Sequence, residues 1–232
     1  LFLPTASHLI STLQAQRNLL GRDFIAVARV ATTPFVVVVD AALPVKTFAE
    51  WIAYAKARPG QLLYGSDGQW GSNHLCMDAV NTRAGLNLDH VPYKSSALVL
   101  QDLAGGRIHA YCAAAPLLAS IVQTGKMRAL AITYQKPTPL APGVPPVSDT
   151  LPGFEMLGWY GLLAPLRTPP HLVSRINGAV VNALKDPQLQ EQLIRVGAEA
   201  SGSTSEEFAA FLQKETQRWE KVLRQGAALS KG

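Results

Sequence analysis

The chain has little cysteine, no long apolar run and no cluster of basic residues, and each scarcity removes a class of protein. Two cysteines in 232 residues, Cys76 and Cys112, are too few for a disulfide scaffold or a four-ligand zinc site. They can pair only if the fold brings their elements together, and by themselves they are silent about the compartment. The longest apolar stretch, FVVVVDAAL from Phe35, is interrupted by Asp40 and falls far short of the ~20 residues a membrane-spanning helix needs. The positives are spread singly, at Arg17, Lys56, Arg83, Arg107, Lys126, Arg167 and Arg195 among others, for a net charge of +5. Nucleic acid requires a concentrated patch and is not an expected partner, whereas a weak positive field suits a small anion. No GxxxxGK[ST] and no GxGxxG occurs, so nucleotide binding lacks support.

What is present is a globular composition, 48% hydrophobic and 16% charged. Such a low charged fraction predicts that much of the chain is buried. FIAVARVATTPFVVVVD reads as two apolar β-branched pieces split at ATTP, because Pro34 forces an extended neighbour. TFAEWIAYAKARPG reads as a helix with Thr47 as its N-cap and Pro59-Gly60 as its stop. A unit then repeats in kind. Strand QLLYG leads to a loop and helix 72–83, LDHVPY to helix 97–104, and RIHAYCA to helix 116–124, with strand MRALAIT next. Alternating strands and helices predict parallel βαβ packing, with the strand carboxyl ends on one edge. YQKPTPLAPGVPPVSDTLPG reads as a packed crossing segment, FEMLGWYGLLAP as a strand, and the remainder as helices. The last of these is capped by Ser203 or Ser205.

The loop YGSDGQWGSNH, residues 64–74, carries the chemistry. Helix starts expose unpaired N–H groups and partial positive charge, which hold a carboxylate without Arg or Lys. Gly68 and Gly71 let the backbone approach closely, and Ser72, Asn73, Ser95 and Ser96 add donors or caps. An ordinary capped turn answers to the same residues; three such turns on one edge favour a site. Ser66, Asp67 and His74 do not make a triad, since no GxSxG elbow occurs. His74 is expected to pack or to donate a hydrogen bond in the first helical turn, and His90, His109 and His171 to be core or surface residues. Trp70 at a glycine-flanked tip either covers a ligand or packs back on its own domain, while Trp51, Trp159 and Trp219 read as core.

The stretches DFIAVARVATTPFVVVV, LPVKTFAEWIAYAKARPGQLLYGSDG, SNHL, HVPYKSSALVLQDLAGGRI, TGKMRALAIT, LPGFEMLGWYGLLAP and GSTSEEFAAFLQKETQRWEKV follow one another from about residue 23 to the end. In that order they resemble the Bug-type periplasmic substrate-binding proteins of tripartite tricarboxylate transporters. The resemblance implies an α/β, periplasmic-binding-protein-like (class II) two-domain fold with parallel-rich sheets. Residues 34–159 would form one domain with the hinge crossings VATTP and WYGLLAP, and residues 1–33 and 160–232 the remainder of the other. It implies an extracytoplasmic receptor for a small organic carboxylate, a di- or aromatic acid, serving membrane transporter subunits. Such a receptor is a periplasmic monomer with no cofactor, metal or catalytic residue. The alternatives are a sensory module signalling to a membrane histidine kinase, a truncated non-binding relic, and an enzyme on the same scaffold.

The family's ligand loops map onto Ser66, Gly68, Gln69, Trp70, Gly71, Ser72, Asn73 and His74, onto Lys94, Ser95 and Ser96, and onto the turn at Ala113 and Ala114. A looser match covers Ser7 and His8. The chain departs from the family pattern at Trp70, Gly71 and Ser95. It also departs in the third turn, where alanines replace an aspartate that contacts the ligand's distal end. An apolar wall plus Trp70 would suit an uncharged or aromatic ligand body. The family also begins with a signal peptide, a first strand and a P-F-x-x-G-G loop. This chain opens on LFLPTASH, without the basic lead-in or cleavage site of a leader, so it is expected to start partway through the first domain.

Overall fold

In a computed structural model of the chain, residues 1–15, 23–117, 121, 124–136 and 138–229 are described. The chain divides into two compact units. One comprises Leu1–Thr32, Trp159–Arg195 and Glu199–Gly232; the other comprises Thr33–Gly158 and Val196–Ala198.

The second unit holds the repeating segments. Its elements are β1 (Phe24–Asp40, shared with the first unit), α2 (Phe48–Lys56), β2 (Leu63–Ser66), α3 (Ser72–Ala84), β3 (Asp89–Pro92), α4 (Ser96–Ala104), β4 (Ala110–Ala114) and β5 (Met127–Ile132). The strand order is β3-β2-β4-β1-β5. β2 runs parallel to both β3 and β4. The exception to the expected parallel sheet is β1, which is antiparallel to β4 and to β5. It enters this unit from the other one rather than by a helical crossover, so no handedness rule fixes its direction. Its Val36, Val37, Val38 and Val39 are all fully buried, as a strand covered on both faces requires.

β1 is also one 17-residue strand and not two pieces. Pro34 falls between Thr32, where the pairing to β7 (Glu199–Ala200) ends, and Phe35, where the pairing to β4 begins. An extended proline interrupts neither ladder there.

Thr47 caps α2 as expected: its hydroxyl accepts from Glu50 N–H, and the Glu50 carboxylate accepts from the Lys46 and Thr47 N–H groups. After β4 a short 3-10 turn spans Ala115–Leu117, and most of the expected helix 116–124 lies outside the described residues. The proline-rich crossing packs by Val147, which is fully buried, and by a parallel bridge from Pro146 to Ile132. Thr133, also buried, accepts from Phe35 N–H and donates to the Met156 and Phe35 carbonyls.

The first unit contains α1 (Ala6–Gln14), β6 (Leu157–Pro165, which begins in the other unit), α5 (Pro170–Ala183), α6 (Pro187–Arg195), β7 and α7 (Ser205–Leu229). Its α7 is capped by Thr204, neither by Ser203 nor by Ser205: Thr204 and Glu207 exchange reciprocal hydrogen bonds. The two serines are committed elsewhere. The Ser203 hydroxyl accepts from Arg29 N–H, and Ser205 donates to the Val27 carbonyl. Trp159 and Trp219 are buried here, and Trp51 is buried in the other unit. On α5 Val173 is buried, Ile176 packs on the Val27–Ala164–Val173 cluster, and Leu172 is exposed. Among the described residues no helix is long and apolar enough to cross a membrane.

Candidate functional site

β3, β2 and β4 are adjacent and parallel, so the turns that follow them share one edge of the sheet. Two of these turns open the helices α3 and α4, and the third opens the 3-10 turn. Ligands of open α/β sheets sit beyond such strand ends.

The β2–α3 loop is held from within. Ser66 is fully buried; its hydroxyl donates to the Gly68 carbonyl at 2.9 Å and lies 2.7 Å from His90 Nε2. Gly68 adopts φ 143°, a conformation that favours glycine. Gly71 caps α3 with an ordinary φ of −69°; what it supplies is close approach, since a Cβ there would lie 3.3 Å from the Gly68 carbonyl oxygen. Between them Gln69 is exposed and Trp70 takes φ 65°. A left-handed tryptophan is strained by about 1 kcal/mol or more. It is held by its N–H, which donates to His74 Nδ1 at 3.0 Å, and by an edge contact of its ring on His74. Trp70 is therefore only half-buried, packed back on its own helix. His74 accepts this bond instead of donating one.

Behind the loop lies a ring stack that sequence reading missed. His74 and His90 lie face to face with centroids 3.9 Å apart, and Tyr64 stacks on His90 at 5.0 Å. Burial lowers the pKa of His74. Burial first, then His74, pushes His90 down to about 4 against the opposing pull of Asp78. Burial raises Asp78 in turn, with His90 opposing, and burial and Asp78 raise the Tyr64 phenol. Both imidazoles are neutral at pH 7, so neither adds a cation to the loop.

A second chain of polar groups ties the three turns together. The Asn73 amide nitrogen donates to the Tyr111 hydroxyl at 2.9 Å and to the Cys112 carbonyl at 2.7 Å. The Tyr111 phenol, fully buried, is raised by burial, lowered by a hydrogen bond with Ser96 and raised again by Asp67. Ser96 donates to Asp67 Oδ2 at 2.8 Å. Asn73, expected to offer side-chain donors to a ligand, spends both amide hydrogens on the protein. Cys76 and Cys112 are disulfide-bonded, with Cα atoms 6.1 Å apart, and join the second turn of α3 to β4 beneath the same edge. Ser72 opens α3. Ser95 is the N-cap of α4 without a side-chain cap bond, and Lys94 is exposed beside it. Ala113 is buried and Ala114 half-buried at the end of β4. Gly65 lies deeper, where a Cβ would meet Ile108 at 2.6 Å and Val99 at 2.7 Å; its absence lets α4 close on β2.

Ser7 and His8 belong to the other unit, in the first turn of α1. His8 Nδ1 accepts from the Thr5 N–H and lies 2.9 Å from its hydroxyl, and Phe2 meets the His8 ring edge-on. His109 accepts from Leu63 N–H within the sheet, and His171 is exposed at the start of α5. The signal for Tyr111 and for the Ser66–His90 contact is strand adjacency: the registers Gly65↔Tyr111 and Tyr64↔His90 place them, and no spacing in the sequence encodes these.

Fold and strand-end loops together define a periplasmic-binding-protein-like α/β architecture. A TctC solute-binding protein from Polaromonas shares this fold, with a TM-score of 0.84 over 96% of this chain and 77% of its own at 24% identity. The chain belongs to the tripartite tricarboxylate transporter receptor family, whose description matches residues 14–227. The "UPF0065 protein in tcbD-tcbE intergenic region" of Pseudomonas sp. (strain P51) is 33% identical over 204 residues, 87% of this chain and 61% of its own length. The chain thus spans less than two thirds of that relative. R. palustris Rpa4515, solved with adipate, is 33% identical, with a TM-score of 0.72 over 87% of this chain and 68% of its own. A malate-bound Rhodopseudomonas palustris protein, MatC, is 25% identical, with a TM-score of 0.72 over 95% and 77%.

Proposed function

We propose that the chain is an extracytoplasmic receptor that binds a small organic carboxylate and delivers it to the membrane subunits of a tripartite transporter, without chemical conversion. The observation that carries this reading is the alignment of three parallel strand ends, two of them opening helices, bound into one edge by the Asn73–Tyr111–Ser96–Asp67 chain. Backbone N–H groups at Ser72–His74 and Ser96–Leu98, the first turns of α3 and α4, would grip carboxylate oxygens. Ser95, Lys94 and Gln69 would line the rim, with Trp70 and Ala114 as the apolar wall.

Adipate and malate, bound by the two R. palustris neighbours, fit this ligand class. The disulfide fits an oxidising compartment such as the periplasm. The receptor acts as a monomer and binds no nucleic acid. The test is a thermal-shift titration with mono- and dicarboxylates. A ligand at 100 times its Kd adds about 2.7 kcal/mol of stability, so the midpoint rises with concentration. A panel in which no acid raises the midpoint refutes the proposal.

A further inference from the structure

The edge that would receive a ligand carboxylate already contains one. The Oδ2 atom of Asp67 accepts from Ser96, the first residue of α4, at 2.8 Å. Its Oδ1 lies 3.6 Å from where a Cβ would stand on Gly71, the N-cap of α3. One side-chain carboxylate therefore sits between two helix starts, where its charge also acts on the Tyr111 hydroxyl. Among the described residues it forms no ion pair, and within 64–74, 93–97 and 110–116 the one formal cation in the sequence is Lys94, whose side chain is exposed. On the third wall Ala113 is fully buried and the half-buried Ala114 carries a methyl group in place of a hydrogen-bonding side chain.

We infer that Asp67 sets the ligand class: the site takes a monocarboxylate with an uncharged body and discriminates against dicarboxylates. The inference rests on the carboxylate-receptor reading and narrows it. A ligand's first carboxylate can use the N–H groups of α3. A second doubles the negative charge brought up to Asp67, whose Oδ2 already holds the Ser96 hydroxyl at the α4 start, and like charges within several ångströms in a partly buried site repel strongly. Removing the charge while keeping its shape should release the second position.

The experiment compares matched acids on the whole chain: hexanoate with adipate, and benzoate with terephthalate. The wild type should bind hexanoate and benzoate at least about tenfold tighter than their dicarboxylate partners. Asp67→Asn preserves an acceptor for Ser96 and should shift both ratios toward the dicarboxylate by about tenfold. Ser96→Ala breaks the hydrogen bond but leaves the charge, and should keep the wild-type preference. Adipate binding as tightly as hexanoate to the wild type overturns the inference. So does an equal loss of preference in both variants, which would make the effect one of loop geometry. If none of the four acids binds, the receptor reading itself falls, a result distinct from either of these.

Discussion

Removing the bond between Cys76 and Cys112 tests how the α3 start is held against β4. The two residues are 36 apart in sequence, and the chain entropy released by opening a loop of that length corresponds to roughly 4 kcal/mol at 25 °C. The bond is not alone in this region, because Asn73 donates to the Cys112 carbonyl and to Tyr111, and these contacts survive the substitution. The perturbation is the double variant Cys76→Ala/Cys112→Ala. Both residues are fully buried, so two small voids add to the entropic loss. In a chain of this size each kcal/mol moves the midpoint by about 2–4 °C, so the variant should melt roughly 8–16 °C lower. Tryptophan fluorescence reports the transition through the buried Trp51 of the same unit. A midpoint within about 2 °C of the wild type would refute the reasoning, and would show that the Asn73 bridge and packing suffice.

Two further outcomes follow from packing and protonation. Gly161→Ala would place a methyl 2.0 Å from Cζ of Phe208, a fully buried ring wedged against Trp159, and should cost about 3 kcal/mol in urea unfolding; a change under about 0.5 kcal/mol would contradict the contact. His90 takes up its proton near 4 when folded against an ordinary 6.5, so the unfolded chain binds protons first as pH falls. Stability contributed by the neutral ring is complete above about 6.5 and is lost between there and about 4. Discounted for the half-exposed ring, the loss is about 1–2 kcal/mol, with Asp78 working in the opposite sense because burial raises its carboxyl. Comparison of the wild type with His90→Asn isolates the contribution of this ring: the difference in unfolding free energy should shrink as pH falls through that window, and a pH-independent difference would count against it.

The two strand-to-helix turns β2–α3 and β3–α4 were legible because each is a local event. Strand hydrophobicity, small residues and helical periodicity lie within about a dozen positions of one another. The Thr47 cap was legible for the same reason. What was not legible depended on neighbours distant in sequence. Asn73 reads as a ligand donor until Tyr111 is brought beside it. His90 reads as isolated until β3 pairs with β2 and delivers it to Ser66 and His74. Pro34 reads as a break because local geometry disfavours ladder pairing at proline, yet it falls in the interval between two partners. The Thr204 cap went unread because two serines one position away carry the same chemistry, and the choice among the three is made by Arg29 and Val27, which claim the serines.

The parallel block β3-β2-β4 fixes its outgoing bends by main-chain ladders and by small residues packed inside, such as Gly65. Of the side chains there, the buried Ser66 and Asn73 share that burden, whereas exposed ones such as Gln69 and Lys94 carry little of it. Substitutions of such exposed rim residues can accordingly accumulate without disturbing the scaffold beneath, so the chemistry of the loop tips can change while the fold persists.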